Sequence, residues 1–169
     1  MAFTSPAFAQ GKLSGSSATL QIYTKQKEHD KRVEKLEAFL RKKNSELAPS
    51  AKTLVEAADK NDLDWKLLAA IAGLESTFCH RIPQNSHNCW GWGIYGNNVI
   101  RFKSYDEGIV IISQGLREKY MDKWGAKDVY QVGKMYAASP TWAVRVLSYM
   151  RQIEEFEPKD KVQTLSISL

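Results

Sequence analysis

The sequence predicts a mainly α-helical domain with a small β-hairpin lobe inserted between helices, and three observations carry that prediction. Successive stretches repeat apolar residues at the three-and-four spacing of a helix face. One stretch, His80 to Tyr105, breaks that periodicity and is rich in Asn, Gly and Trp. The chain has 169 residues, 43% of them hydrophobic and 25% charged, which is apolar material for one core but not for two.

Residues 1–23 are dominated by Ser, Gly, Ala and Thr and predict a flexible lead. The domain proper is expected over 24–157, with a tail over 158–169. Within Lys25–Lys43, Val33, Leu36, Phe39 and Leu40 mark a narrow apolar stripe on a charge-dense surface helix. Pro49 breaks that pattern, and Ser50 offers an N-cap for a second helix running to about Lys60. Asp64 caps the next one, DWKLLAAIAGLESTF, in which Leu67, Ile71, Leu74 and Phe78 recur at helical spacing. After it, Gly96-Asn97-Asn98 between two short extended runs, Gly91–Tyr95 and Val99–Phe102, predicts the hairpin. Ser104 to Glu107 has the S-x-x-E capping-box spacing and opens an apolar helix through Ile109, Ile112, Leu116 and Tyr120. Val129, Val132, Met135 and Tyr136 mark another helix. Ser139-Pro140 opens the last, through Trp142, Val146, Met150 and Ile153, and Pro158 ends it.

The net charge of +5 suits polyanionic surroundings: nucleic acid, an anionic lipid surface or an acidic cell-wall polymer. No RNA-binding aromatic signature, zinc-finger spacing or long Arg-rich run is present, which sets nucleic acid aside. No run reaches the roughly 18 apolar residues of a membrane span. Ser5 to Gln10, SPAFAQ, matches the small-x-small end of a secretory signal without the apolar core before it, so it is either a signal-peptide remnant or a chance match. In a secreted or periplasmic setting Cys79 and Cys89 would form a disulfide across a short loop, contributing about 2–3 kcal/mol. In a reducing compartment they would be free thiols. Cys79, His80, His87 and Cys89 also form a potential zinc set, but adjacent Cys79 and His80 cannot easily face one ion and the spacing matches no common zinc pattern. A disulfide is preferred and no metal is expected.

Glu75 is the candidate catalytic group. It stands at the end of an apolar stripe, where loss of water would disfavour its charged form, and a carboxyl that keeps its proton is what a general acid needs. The bland alternative is a helix-end glutamate bent out to solvent. Gly73-Leu74-Glu75-Ser76, Gly93-Ile94-Tyr95 and Met135-Tyr136-Ala137 resemble the Glu-Ser, Gly-Leu-Met-Gln and Ala-Tyr-Asn blocks of the soluble lytic transglycosylases of the lysozyme-like superfamily. Arg101 to Ile109 and Tyr136 to Ala143 are similar to bacterial endo-β-N-acetylglucosaminidases. The resemblance covers roughly Val33 to Glu154. Only the Glu-Ser block matches strictly, and Tyr95-Gly96 stands where the transglycosylases have Met-Gln.

The resemblance implies a lysozyme-like fold and cleavage of a β-1,4 glycosidic bond in peptidoglycan or a related N-acetylated glycan, by a monomer without a cofactor. Glycosidases with two carboxylates need a partner acid, and between Ser76 and Tyr105 there is none. Asp106 and Glu107 are the next candidates for a second acid, though a helix start accounts for both. Without a partner, the substrate's N-acetyl group acts as nucleophile and the product is that of a lytic transglycosylase. The alternatives are a hydrolytic glucosaminidase or muramidase, and a non-catalytic glycan-binding module. Ser76, Trp90, Trp92, Gly93, Ile94, Tyr95 and Tyr136 are the candidate substrate-binding residues. Of the aromatics, Trp90 and Tyr95 are the favoured stacking faces, while Trp92 is equally read as the hydrophobic centre of the hairpin. Tyr136 either points its hydroxyl at Glu75 or the N-acetyl group, or is a core tyrosine. Arg81, Arg101 and Lys103 would give the lobe positive charge for a muramic-acid carboxylate.

Overall fold

The computed structural model describes residues 31–94, 96 and 98–158. The expected lead, the tail beyond Pro158, and Tyr95 lie outside the described residues. The described chain is mainly helical. Helix α1 covers residues 31–42, and a 3₁₀ turn over Ala48–Ser50 leads into α2, Ala51–Lys60. Then come α3 (Leu67–Ser76), α4 (Tyr105–Gly115) with a π-helical continuation over Leu116–Lys123, α5 (Val129–Tyr136) and α6 (Trp142–Glu154). One apolar core runs from Leu36 of α1 to Ile153 of α6.

Helix α3 is the buried centre. Every residue from Leu67 to Gly73 is inside, because the stretch LLAAIAG has no polar face to offer water. Its principal neighbour is α6, and the two are tied at opposite ends. Lys66, just before α3, reaches Glu154 at the end of α6 (2.7 Å) and Asp64 (3.1 Å), while Glu75 near the end of α3 meets Trp142 at the start of α6. The two helices therefore run antiparallel. The hydrogen bond from Lys66 holds the Glu154 carboxyl below its ordinary range.

The helix starts follow the sequence to within a few residues. Asp64 does not cap α3 directly but accepts the Lys66 N–H (2.9 Å) in the turn before it. Ser50 is the N-cap of α2 by position, yet its side chain makes no capping bond, since the 3₁₀ turn already leads the chain into the helix. Ser104 caps α4 by accepting the Glu107 N–H (3.1 Å), and the Glu107 carboxylate accepts the Lys103 N–H. Asp128 caps α5 through Gln131 N–H (2.8 Å), with Gln131 reaching back to Lys127 N–H (2.9 Å). Helix α6 begins at Trp142, just after the expected Ser139-Pro140 start.

The lobe departs from the expected hairpin. Among the described residues, 80–104 carry no strand ladder, and Asn98 makes only an isolated bridge. Gly91 and Gly93 have positive φ, which turns the chain where the first expected strand would run straight, and Asn85 and His87 turn it before that strand. Buried Asn88 takes over what a ladder would do: its amide nitrogen donates to the carbonyls of Trp92 (2.8 Å) and Ile100 (3.0 Å), and its oxygen accepts the Trp92 N–H (3.1 Å).

Thr77, Phe78 and Cys79 form a left-handed run, with φ of 55°, 57° and 75°, that stops α3. Such a backbone costs about 1–2 kcal/mol per non-glycine residue and needs compensation nearby. Ser76 Oγ accepts the Cys79 N–H (2.9 Å), Ser45 Oγ donates to the Phe78 carbonyl (3.0 Å), and the Phe78 ring packs edge-on against Phe39 and Tyr149. Gly73 makes room for that ring, since a Cβ there would stand 2.7 Å from it. The Cys79–Cys89 disulfide, Cα to Cα 4.8 Å, ties the turn to the lobe. His80 and His87 instead approach the carbonyls of Lys43 and Phe102, so the zinc alternative is not what these four residues form. The double variant Cys79→Ser, Cys89→Ser should unfold at lower urea, losing about 2–3 kcal/mol, and alkylation without reductant should label no thiol in the parent protein.

Candidate active site

Glu75 occupies the last turn of α3, where the helix emerges from the core. The expected dry environment is corrected: Leu74 is half-buried and Glu75 is exposed, because α3 ends at the next residue and its final turn faces solvent. The carboxylate is nonetheless held. The indole N–H of buried Trp142 donates to Oε1 at 2.7 Å. On the other side stands Gly91, where a Cβ would lie in ordinary contact with Oε2, 3.5 Å away; it is the positive φ of +63° that suits glycine here.

A chain of contacts fixes Trp142. Its ring stacks on Tyr136 at 4.9 Å and 28°, and Gly133 of α5 leaves space for it, since a Cβ there would approach the indole to 2.9 Å. The Tyr136 hydroxyl donates to the Trp90 carbonyl (2.7 Å), and the Trp90 indole donates to the Leu68 carbonyl in α3 (2.9 Å). The carboxylate is thereby referenced back to the helix that carries it.

Beside Gly91 opens a pocket of about 260 Å³ with Trp92, Tyr120 and Tyr136 as its aromatic side and Gly93, Ile94, Ile100 and Lys119 completing it. The π-helical segment belongs to this arrangement. Gly115, where α4 widens, lies under the Trp92 indole (a Cβ would stand 2.6 Å away), and Tyr120 from the wider turns packs against Trp92 and Tyr136 at 5.9 and 5.7 Å. The sequence predicted one continuous helix here, since Leu116 and Tyr120 keep α-helical spacing.

The predicted residues divide accordingly. Trp92, Gly93, Ile94 and Tyr136 come together at the pocket, next to Glu75 through Gly91. Trp90 is corrected: it is 0% exposed, with its ring beside Gly108 of α4, so no sugar reaches its face. Ser76 is corrected as well, being buried, with Oγ donating to the Cys89 carbonyl (2.7 Å) and lying 3.0 Å from the Ala72 carbonyl. The Tyr136 hydroxyl goes to Trp90, not to Glu75. Asp106 is exposed and Glu107 is used at the start of α4. Of the lobe cations, Arg101 donates to the Gln84 carbonyl and none of Arg81, Arg101 and Lys103 lines the pocket.

Burial, then the neighbouring Glu75 charge and Tyr120, pushes the Tyr136 hydroxyl well above its ordinary value, so it stays a neutral donor to Trp90. Tyr105 is also raised, by burial and then by its hydrogen bond to Glu46. A folded-state pKa above the unfolded one contributes stability that is whole below about pH 10, the unfolded tyrosine value, and is lost as pH rises toward the folded value. Urea midpoints should therefore fall above about pH 10, and fall less in Tyr136→Phe and Tyr105→Phe. Spectrophotometric titration of the parent against Tyr136→Phe and Tyr105→Phe should assign late-ionising phenols to these two residues.

Sequence reasoning missed Trp142 as the partner of Glu75, Lys119 and Ile100 at the pocket, and Asn88 in the lobe. The Glu75–Trp142 pair is 67 residues apart in the chain, and no local pattern announces it. No protein-family model matches the chain, and no curated protein matches it.

Proposed function

We propose that this chain cleaves β-1,4 glycosidic bonds in peptidoglycan, as a lytic transglycosylase of lysozyme-like fold in which residues 80–104 serve as the small lobe. The observation that carries this reading is the single exposed carboxylate of Glu75 at the mouth of an otherwise apolar helix, anchored through one oxygen and bordering an aromatic pocket that no Asp or Glu lines among the described residues. With Oε1 accepting from Trp142, Oε2 on the Gly91 side is the oxygen that carries the proton when Glu75 acts as the acid. From there it passes to the departing glycosidic oxygen while the substrate's N-acetyl oxygen attacks the anomeric carbon. The Glu75 carboxylate then takes the proton of the sugar's 6-hydroxyl as that oxygen closes on the same carbon, releasing the N-acetyl group and giving an anhydro end. No cofactor is needed for these steps. Trp92 and Tyr136 supply aromatic surface for a sugar ring. The Cys79–Cys89 bridge supports a secreted or periplasmic address. No helix among the described residues is long and apolar enough to cross a membrane.

Digesting purified cell walls and weighing the fragments tests the proposal. Anhydromuramic ends are expected. Reducing ends would instead make the chain a hydrolase and return attention to exposed Asp106 as the group positioning water. Glycan binding without any fragment would leave a binding module.

A further inference from the structure

We propose that Trp142 is a positioning residue for the reaction, keeping Glu75 in one orientation while the carboxyl gives up its proton and later takes one back; the inference rests on the single-acid reading above. Glu75 is exposed, and a solvated glutamate side chain samples many rotamers, so nothing in its own chemistry decides which oxygen faces the substrate. Among the described residues the only hydrogen-bond donor to its carboxylate is the Trp142 indole, 2.7 Å from Oε1. That donor is enclosed. Trp142 is 3% exposed at the first position of α6, stacks on Tyr136, and fits against Gly133, whose missing Cβ leaves the ring its space.

An indole suits this task by what it lacks. Its N–H donates and its ring nitrogen accepts nothing, so Trp142 can hold Oε1 but cannot take up the proton that Glu75 delivers. A tyrosine or histidine could exchange protons with the acid. An N–H also binds an ionised carboxylate more strongly than a neutral acid. The bond therefore tightens as the proton leaves Oε2 for the glycosidic oxygen, and it stabilises the step in which Glu75 becomes charged more than the state before it. In the second step the same bond keeps Oε2 turned to the place where the 6-hydroxyl proton arrives.

The test removes the N–H and keeps the ring: β-(3-benzothienyl)alanine incorporated at position 142 carries sulfur where tryptophan has its N–H. Soluble peptidoglycan strands are the substrate, released anhydro ends give kcat and KM, and urea midpoints show that each protein is folded. In the isostere kcat should fall about 10- to 100-fold, the range of a hydrogen bond to a charged group, with KM unchanged. Trp142→Phe lacks the same donor and should lose at least as much kcat, which keeps the comparison available if the isostere does not fold. In a Glu75→Gln background the isostere should lower residual turnover little further, since it acts through the group already removed. Undiminished kcat in the isostere, a loss confined to KM, or an equal further loss in the Glu75→Gln background overturns the assignment and leaves the single-acid reading standing. A parent chain that releases no anhydro ends overturns both.

Discussion

Glu75→Gln should abolish wall digestion, lowering turnover by about 10²–10⁴-fold, the range a positioned acid–base group contributes, while the protein stays folded. The amide can keep the contacts of the acid it replaces. Its oxygen accepts the Trp142 N–H in place of Oε1, and its NH₂ occupies the space of Oε2 beside Gly91. Glu75 is exposed, so the substitution costs the core nothing. What disappears is the proton. Turnover measured by released fragments, alongside an unchanged urea midpoint and unchanged N-acetylmuramic acid binding, would isolate the chemical role. Asp106→Asn is the companion measurement: at the first turn of α4 it should cost well under about 1 kcal/mol of stability and leave turnover near that of the parent. Full activity in folded Glu75→Gln would end the single-acid mechanism.

Trp90→Ala should destabilise the fold by about 3–5 kcal/mol, the usual cost of deleting a large buried aromatic, and that is a large share of the roughly 5–15 kcal/mol that holds a domain together. The side chain is wholly enclosed, its indole N–H satisfies the Leu68 carbonyl of α3, and its ring fills the space that Gly108 of α4 leaves open. Urea denaturation should show the loss directly. Trp92→Ala, at a half-buried ring lining the pocket, should act mainly on glycan affinity. A stable Trp90→Ala protein with weakened sugar binding would reverse the two assignments.

Both expectations rest on how the same residue types end up in different places. Trp90 and Trp92 are separated by Gly91 alone, and composition treats them alike. The left-handed backbone at Gly91 and Gly93 sends one ring into the core and brings the other to the pocket. Ser76 likewise stood beside the acid in the chain, which suggested contact with substrate, but the last turn of α3 directs it inward. There it accepts from the left-handed turn and donates to the lobe, a structural role that adjacency to Glu75 could not reveal.

The helical elements and their order were legible in the chain alone, because apolar periodicity and capping chemistry act over a few residues. LLAAIAG had to be buried on all sides, Ser104 and Glu107 had to start α4, and Cys79 and Cys89 were near enough to bridge. Tertiary structure decided what surrounds the carboxylate. The Trp142 donor comes from a helix 67 residues away, Gly133 admits its ring from a third element, and the wider π-helical turns bring Lys119 and Tyr120 to the pocket. Among the described residues of the lobe it also put turns organised by Asn88 where a strand ladder was expected. These features depend on directional hydrogen bonds and on close ring contacts between distant segments. Periodicity records which residues leave water; it carries no record of which partner they meet.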